Sequence, residues 1–246
     1  MRTFLYALLM VIATQAVAEP DFEDGGQAYL IGDLDKAFAI WSELAERNHA
    51  ESQYNLGAMY LTYDLPATEL ENLMGNQISP IDKGIQLIER SAAANFPDGL
   101  AMIASFYSRG FEQYPQDANK ALEYRIKAAD TGDALAEYNL GLIYLQDYKT
   151  SKEQEGLRLL NSAAKKGFIN AEFLMGMFLF TNEKAQDLII SYAYLTRVTN
   201  WSPDEHTQAI SQEIRELIEK AKETKAIIEQ TLSPSDLMIA QKMSEN

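Results

Sequence analysis

Short segments with the same pattern of apolar and small residues return along the chain. Four of them align without gaps: SQYNLGAMY (52–60), GLAMIASFY (99–107), AEYNLGLIY (136–144) and AEFLMGMFL (171–179). Each places a small residue three positions before a large one, the pairs being Gly57 and Tyr60, Ala104 and Tyr107, Gly141 and Tyr144, and Gly176 and Leu179. Gly26 and Tyr29 extend the series towards the N-terminus. On a helix, this spacing predicts a face that a second helix approaches closely, with the large side chain filling the space beside it.

A second signature follows the first four members of this series. It reads KAFAIWSELAERNHA (36–50), KGIQLIERSAAANFP (83–97), KALEYRIKAADTGDA (120–134) and EGLRLLNSAAKKGFI (155–169). Apolar residues recur in it at helical spacing, and one position is always alanine: Ala45, Ala92, Ala129 and Ala164. Three residues later come Asn48, Asn95, Gly132 and Gly167, residue types that tolerate the left-handed conformation ending a helix. We therefore predict stacked antiparallel helix pairs, each burying its apolar stripe against the next.

The joint motif, LG-x-x-Y followed by K-A-x-x-x-x-x-x-A-A-x-x-G, resembles the Sel-one-like repeat, a relative of the tetratricopeptide repeat. The resemblance covers about residues 22–200, and the ending LSPSDLMIAQKMSEN resembles that of several exported members. It implies an all-α fold, a right-handed α/α superhelix of about five helix-pair repeats, used for protein–protein interaction and often found in envelope or secretion systems. Ala104, Leu179 and the segment LIISYAYLTRVTN depart from the motif, and the cysteine pairs of the disulfide-rich bacterial subgroup are absent. An ordinary helix bundle is the alternative.

The N-terminus has the pattern of a secretion signal. Residues 1–18 combine Arg2, an apolar run and the small-x-small site Ala16-Val17-Ala18. The apolar run is too short for a membrane anchor, which needs about 20 residues. We expect cleavage after Ala18, no membrane insertion after cleavage, and a periplasmic or secreted protein.

The rest of the chain divides into repeats and a C-terminal cap. We assign residues 19–202 to the repeats, with an insertion at about 61–80 that we expect to be a solvated loop or, alternatively, a contact element. Residues 203–246 should form capping helices, with starts at Ser202-Pro203-Asp204-Glu205 and at Ser233. An oligomerisation helix is the alternative reading of this segment.

Composition excludes several kinds of chemistry. The 36 acidic and 21 basic residues give a net charge of −15, which makes nucleic acid and anionic lipid poor partners. The chain has no cysteine and only two histidines, His49 and His206, so we expect no metal site. It also has no G-x-S-x-G, G-x-x-x-x-G-K-[ST], H-E-x-x-H or G-x-G-x-x-G motif. We therefore expect no catalytic residues and no cofactor.

The remaining candidate site is a surface stripe on the first helix of each pair. Beside the inward positions Gln53, Leu56, Gly57 and Tyr60, the predicted concave stripe contains Tyr54, Ala58 and Leu61, then Ala101, Ser105 and Ser108, then Tyr138, Leu142 and Leu145, then Phe173, Met177 and Phe180. An apolar and aromatic stripe suits an extended or helical segment of a protein or peptide partner. Alternatively, neighbouring helices bury it. Two other functions remain open: a periplasmic hydrolase or sugar-binding protein, and an adaptor that docks a basic partner through its acidic surface.

Overall fold

The part of the chain that the structure describes is helical. The computed structural model describes residues 21–146, 152–182, 184–202 and 211–245. These ranges contain thirteen α-helices and no β-sheet: α1 (Phe22–Leu30), α2 (Leu34–Glu46), α3 (Ala50–Thr62), α4 (Ala67–Asn76), α5 (Pro80–Ala93), α6 (Pro97–Arg109), α7 (Ala118–Asp130), α8 (Ala134–Gln146), α9 (Glu153–Lys165), α10 (Ile169–Thr181), α11 (Ala185–Asn200), α12 (Gln212–Thr231) and α13 (Pro234–Ser244). The predicted all-α fold is confirmed.

The chain divides into two compact units, residues 1–88 and residues 89–246. The first unit contains α1–α4 and most of α5, and the second contains the end of α5 and all later helices. The predicted signal peptide (1–18), His206 and most of the predicted helix start at 202–205 lie outside the described residues.

Trp41 of α2 lies in the core of the first unit. Its buried indole packs with Ala28, Leu56 and Tyr60, which come from the helices on either side of α2. His49 begins α3: its Nδ1 atom accepts a hydrogen bond from the Ser52 backbone N–H at 3.2 Å, as an N-cap side chain does. This histidine therefore has a structural role.

The insertion contains α4, which is packed into the first unit, so the expectation that residues 61–80 form a solvated loop was wrong. Leu65 before α4 and Leu73 within it are buried in the core of the first unit. Glu69 of α4 accepts hydrogen bonds from the Tyr60 hydroxyl at 2.7 Å and from the Lys83 ammonium at 2.9 Å. The inserted residues thus carry an apolar face of their own and join a repeat tyrosine to the start of α5.

The second unit is built from helix pairs with a core that continues from pair to pair. α6 packs on α7, α8 on α9, and α10 on α11. Leu140, Tyr144 and Leu159 form one buried cluster, and Leu160, Met175 and Tyr194 form part of the next. Each helix pair therefore shares its apolar surface with its neighbour, as the repeat pattern predicts.

The last two helices cover the end of this stack. Both α12 and α13 pack on α11, and α12 also contacts α10. Leu195 and Val198 of α11 lie in one buried cluster with Ala221 and Ile228 of α12 and Ala240 of α13. These C-terminal helices keep apolar surface of the last repeat away from water.

The four predicted helix stops have the backbone conformation that the sequence indicated. The φ angles are 64° at Asn48, 60° at Asn95, 81° at Gly132 and 81° at Gly167. Left-handed φ values of this kind are favourable for glycine and tolerated by asparagine. One position of the second signature therefore predicts the turn that joins each repeat to the next.

Glycines meet in pairs where two helices approach closely. A Cβ atom added to Gly57 would lie 3.1 Å from the carbonyl oxygen of Gly84, and one added to Gly141 would lie 3.1 Å from that of Gly156. The close approach predicted for the small-residue position is present at both sites. Gly84 and Gly156 share the second position of the second signature, and sequence analysis did not single them out.

Two further small-residue positions are buried in the same way, and a third was misplaced. Ala104 is buried, and a Cβ on Gly176 would lie 2.7 Å from the Leu195 side chain. The assignment of Gly26 with Tyr29 was wrong by one residue. Gly25 and Ala28 occupy the buried positions, because the Trp41 indole lies 2.6 Å from where a Gly25 Cβ would be.

Candidate functional site

A groove lies between α1 and α3 in the first unit, and we call it the first groove. It has a volume of about 280 Å³ and is lined by Gly26, Tyr29, Leu30, Trp41, Asn55, Ala58 and Met59. The Tyr29 hydroxyl donates a hydrogen bond to the Asp64 carboxylate at 2.9 Å, which holds the ring at the edge of the groove. The aromatic ring that was misassigned to the core thus lines a surface site.

A second groove lies among α6, α7 and α8 in the second unit. Its volume is about 400 Å³, and it is lined by Ala101, Arg125, Ala128, Ala136, Asn139, Leu142, Ile143 and Gln146. The lining combines apolar side chains with two amides and one guanidinium. Such a surface can receive apolar side chains and form hydrogen bonds with a peptide backbone.

The two grooves use equivalent repeat positions. The aligned segments SQYNLGAMY and AEYNLGLIY place Asn55 with Asn139, Ala58 with Leu142, and Met59 with Ile143. All six residues line a groove. The repeat therefore places the same face of α3 and of α8 at a groove, with an asparagine at the same point, although Met59 itself is buried beneath the first groove.

Part of the predicted stripe faces these grooves and part packs against neighbouring helices. Ala58, Ala101 and Leu142 line the grooves. Leu61 packs on Gly84 of α5, and Leu145 packs on Gly156 of α9. A Cβ atom added to these glycines would lie 2.8 Å from the Leu61 side chain and 3.1 Å from the Leu145 side chain. The stripe predicted from one helix thus divides between the interior of the repeat and its surface.

The aromatic members of the stripe are partly covered. The Tyr138 ring packs on Phe168 with centroids 5.0 Å apart, and Tyr54 is half-buried. Phe173, Met177 and Phe180 pack against the cluster formed by α11, α12 and α13, and the Thr224 hydroxyl of α12 lies 3.5 Å from the Met177 sulfur. The C-terminal helices therefore occupy much of this end of the stripe, and a binding role for these residues stays a prediction.

Sequence analysis missed the polar residues of both grooves. Asn55, Asn139, Arg125 and Gln146 were not among the candidates, which were chosen as apolar. The signal was available for two of them, since an asparagine stands at the same place in both aligned segments. Arg125 aligns with Trp41, which lines the first groove, but no other repeat has an arginine there, and Gln146 lies beyond the aligned segments.

A lysine lies over three of the repeat tyrosines. The Lys Nζ atom is 5.1 Å from the ring centre in the pair Lys83–Tyr60, 5.0 Å in Lys120–Tyr107 and 4.4 Å in Lys152–Tyr144. A cation over an aromatic face is attracted by the ring quadrupole, with about 0.5–1 kcal/mol at exposed sites. Lys83 and Lys120 open the second signature and Lys152 lies three residues before its last copy, and each of these lysines links the two helices of a repeat.

Glu69 makes the first of these links a closed polar cluster. Burial raises the pKa of Glu69, but hydrogen bonds from Tyr60, Lys83 and Asn72 outweigh it and hold the pKa below its usual value. Burial and the hydrogen bond to Glu69 raise the pKa of the Tyr60 phenol. The carboxylate therefore stays ionised and the phenol stays neutral at pH 7, so this cluster is structural.

A third cavity, of about 570 Å³, lies beside α6 and contains three tyrosines. The Tyr107 ring centre is 5.0 Å from that of Tyr114 and 5.8 Å from that of Tyr124, so the rings pack on one another. The Tyr114 hydroxyl donates to Glu89 at 2.5 Å, and burial together with this bond raises the pKa of Tyr114. The Tyr114 hydroxyl and the Glu89 carboxylate bind each other and the three rings pack together, which favours a structural role for these residues.

Two further findings concern the described ranges alone. Within them, no three His, Asp or Glu side chains gather in a way that could hold a metal ion. No helix in this part of the chain has the length and apolarity needed to cross a bilayer.

Comparison with known proteins supports the fold. No family model matches the chain. A negative regulator of exopolysaccharide production from Rhizobium meliloti is 27% identical over 169 residues, which are 65% of this chain and 60% of that protein. A protective antigen of uropathogenic Escherichia coli with a Sel1-like repeat fold has a TM-score of 0.45 at 19% identity, over 85% of this chain and 48% of its own.

The crystal structure of a Sel1 repeat protein from Oxalobacter formigenes is similar over most of both chains. Its TM-score is 0.53 at 17% identity, over 85% of this chain and 91% of the Oxalobacter protein. Helix pairs, left-handed stops and a close helix approach at the small-residue position are the features that the repeat motif predicts, and they are present in both units. The chain therefore has the fold of the Sel1 repeat proteins, an α-solenoid of tetratricopeptide-like helix pairs.

Proposed function

We propose that this chain is an exported scaffold of the bacterial cell envelope that binds another protein through the first and second grooves. The observation that carries the proposal is that equivalent repeat positions line a groove in each unit. A partner segment in a regular conformation presents side chains at fixed intervals, which suits a surface made from repeated positions.

The groove chemistry favours binding over catalysis. The polar groups that line the grooves are the amides of Asn55, Asn139 and Gln146, the guanidinium of Arg125, the Trp41 indole N–H and the Tyr29 hydroxyl. Burial and the hydrogen bond to Asp64 raise the pKa of Tyr29, so this phenol stays neutral at pH 7. Amides do not titrate near pH 7, and an arginine stays protonated in proteins, so neither can act as a general base. These groups can orient a peptide, which is what a scaffold without enzymatic activity requires.

Export and a regulatory role are further parts of the proposal. The pattern of residues 1–18 supports export into the envelope. The similarity to a protein described as a negative regulator of exopolysaccharide production supports a role in regulation. A scaffold without catalytic chemistry would exert such a role by holding a partner protein.

Capture of the partner from the native host tests this proposal. The full chain, with a C-terminal affinity tag, is cross-linked in cells and purified from the envelope fraction. We expect Leu142→Asp and Asn139→Asp to lower the amount of captured partner about thirtyfold, because groove residues near an apolar anchor commonly carry about 2 kcal/mol of binding free energy. Leu135→Asp is the matched control, since Leu135 lies on the same helix, is 44% exposed and does not line the groove.

Two outcomes decide the proposal. Equal capture by all three variants, with unchanged thermal unfolding, would place the contact outside the second groove and overturn its assignment. Asn139 is exposed, so its variant reports on binding even if Leu142→Asp unfolds. The intact mass of the captured chain should correspond to a start at Glu19, and a chain that retains residues 1–18 would overturn export.

A further inference from the structure

The first groove lies in the more acidic part of the chain. Residues 21–88 contain twelve acidic and three basic side chains, whereas residues 89–246 contain 23 and 17. Two of the three cations of the first unit are already paired, Arg47 with Glu43 at 2.7 Å and Lys83 with Glu69 at 2.9 Å. The surface of this unit therefore has a strongly negative potential.

Apolar side chains are exposed beside the same groove. Leu30, which lines it, is 67% exposed, and the next residue, Ile31, is 77% exposed. Tyr29 lines the groove as well and exposes part of its ring. Neighbouring large apolar side chains in water beside a groove are typical of a binding surface.

Carboxylates border these apolar side chains. Glu23 stands one helical turn before Gly26 on α1, and Glu51 stands one turn before Asn55 on α3, so both extend the faces that line the groove. Asp64 accepts the hydrogen bond of the Tyr29 hydroxyl. The first groove thus combines an apolar floor with an anionic border.

We infer that the first groove binds an amphipathic segment of a partner protein that carries an apolar face and a basic edge. The inference rests on the proposed function and adds the chemistry of the partner. Leucine-like side chains would cover Leu30, Ile31 and the exposed part of the Tyr29 ring, while lysine or arginine would meet the carboxylates of Glu23, Glu51 and Asp64. An acidic segment with the same apolar face would be repelled, so charge selects the partner.

Two synthetic peptides of about 18 residues test this directly. They share one leucine stripe at helical spacing and differ only in the polar positions, which are lysine in one and glutamate in the other. Binding to the purified full chain is measured by isothermal calorimetry. We expect the lysine peptide to bind at least about 100-fold more tightly, and its affinity to fall at least about tenfold between about 50 mM and 500 mM salt.

Variants separate the groove from general attraction between opposite charges. Leu30→Ser combined with Ile31→Ser should weaken the lysine peptide about tenfold or more while the protein stays folded, because both side chains are exposed. Met74→Ser is the matched control, since Met74 is 72% exposed in the same unit and does not line the groove. Glu23→Gln combined with Glu51→Gln should reduce the salt dependence.

The outcomes are distinguishable from those of the capture experiment. Unchanged binding by the Leu30 and Ile31 double variant, or equal binding of the glutamate peptide, would overturn a basic amphipathic partner for the first groove. If the Leu142 and Asn139 variants still lose their cellular partner, the scaffold function stands and only this inference fails.

Discussion

Gly141→Leu should lower the free energy of unfolding of the second unit by about 3 kcal/mol or more. A Cβ atom at this position would lie 3.1 Å from the backbone carbonyl of Gly156 and 3.1 Å from the Leu160 side chain. Backbone atoms cannot rotate away as a flexible side chain can, so α8 and α9 would have to separate. Urea unfolding followed by circular dichroism measures the loss.

Gly26→Leu is the matched control for this substitution. Gly26 also lies inside a helix, but no described atom comes within 4 Å of its Cβ position. Leucine is the better helix former, so this variant should lose less than about 1 kcal/mol and could gain stability. If both variants lose the same free energy, the paired glycines do not mark a close helix contact.

Ile228→Ala should lower the free energy of unfolding by about 2–5 kcal/mol. Ile228 is 0% exposed and packs in the cluster that joins α12 and α13 to the last repeat pair. Removal of a buried branched side chain loses its transfer free energy and leaves a cavity. The melting temperature and the urea midpoint both report the change.

The neighbouring isoleucine provides the control on the same helix. Ile227 is 52% exposed, so Ile227→Ala should cost less than about 1 kcal/mol. The difference in unfolding free energy between these two variants tests whether the face of α12 that contains Ile228 packs on the last repeat pair. Equal losses at both positions would contradict the packing of α12 against α10 and α11.

The features that recur in the sequence were the ones that could be predicted. Asn48, Asn95, Gly132 and Gly167 stand at one position of an alignment, and each has a left-handed backbone. The close approach at Gly141 follows from the same repetition. A repeat unit stacks only on its neighbours, so local patterns also carry the tertiary contacts of such a fold.

The features that could not be predicted occur once or depend on a distant helix. The other repeats have Ile88, Arg125 or Leu160 at the position of Trp41, so the tryptophan itself occurs once, and its indole packs on Gly25 and not on Gly26. The cover that α12 places over Met177 joins residues 47 positions apart in sequence. Apolar periodicity shows that a helix has a buried face, but it does not identify the helix that buries it.

The candidate site was predicted only in part, because apolar character alone does not distinguish a groove residue from a residue at a helix contact. The stripe was chosen by apolar character, which identified Ala58 and Leu142 but also Leu145, whose side chain packs against Gly156. A residue at an interhelical contact and a residue in a groove look alike in sequence when both are leucine. The repeated asparagine, Asn55 and Asn139, was the better indicator of a surface position.

Hydrogen–deuterium exchange of the full chain measures most directly whether a partner protein binds in the grooves. Exchange is compared between the free chain and the chain with the partner isolated by capture. We predict slower exchange in Ala134–Gln146 and in the adjoining part of α7, with no change in α13. Slower exchange confined to α4 or to α13, with α8 unchanged, would contradict the account.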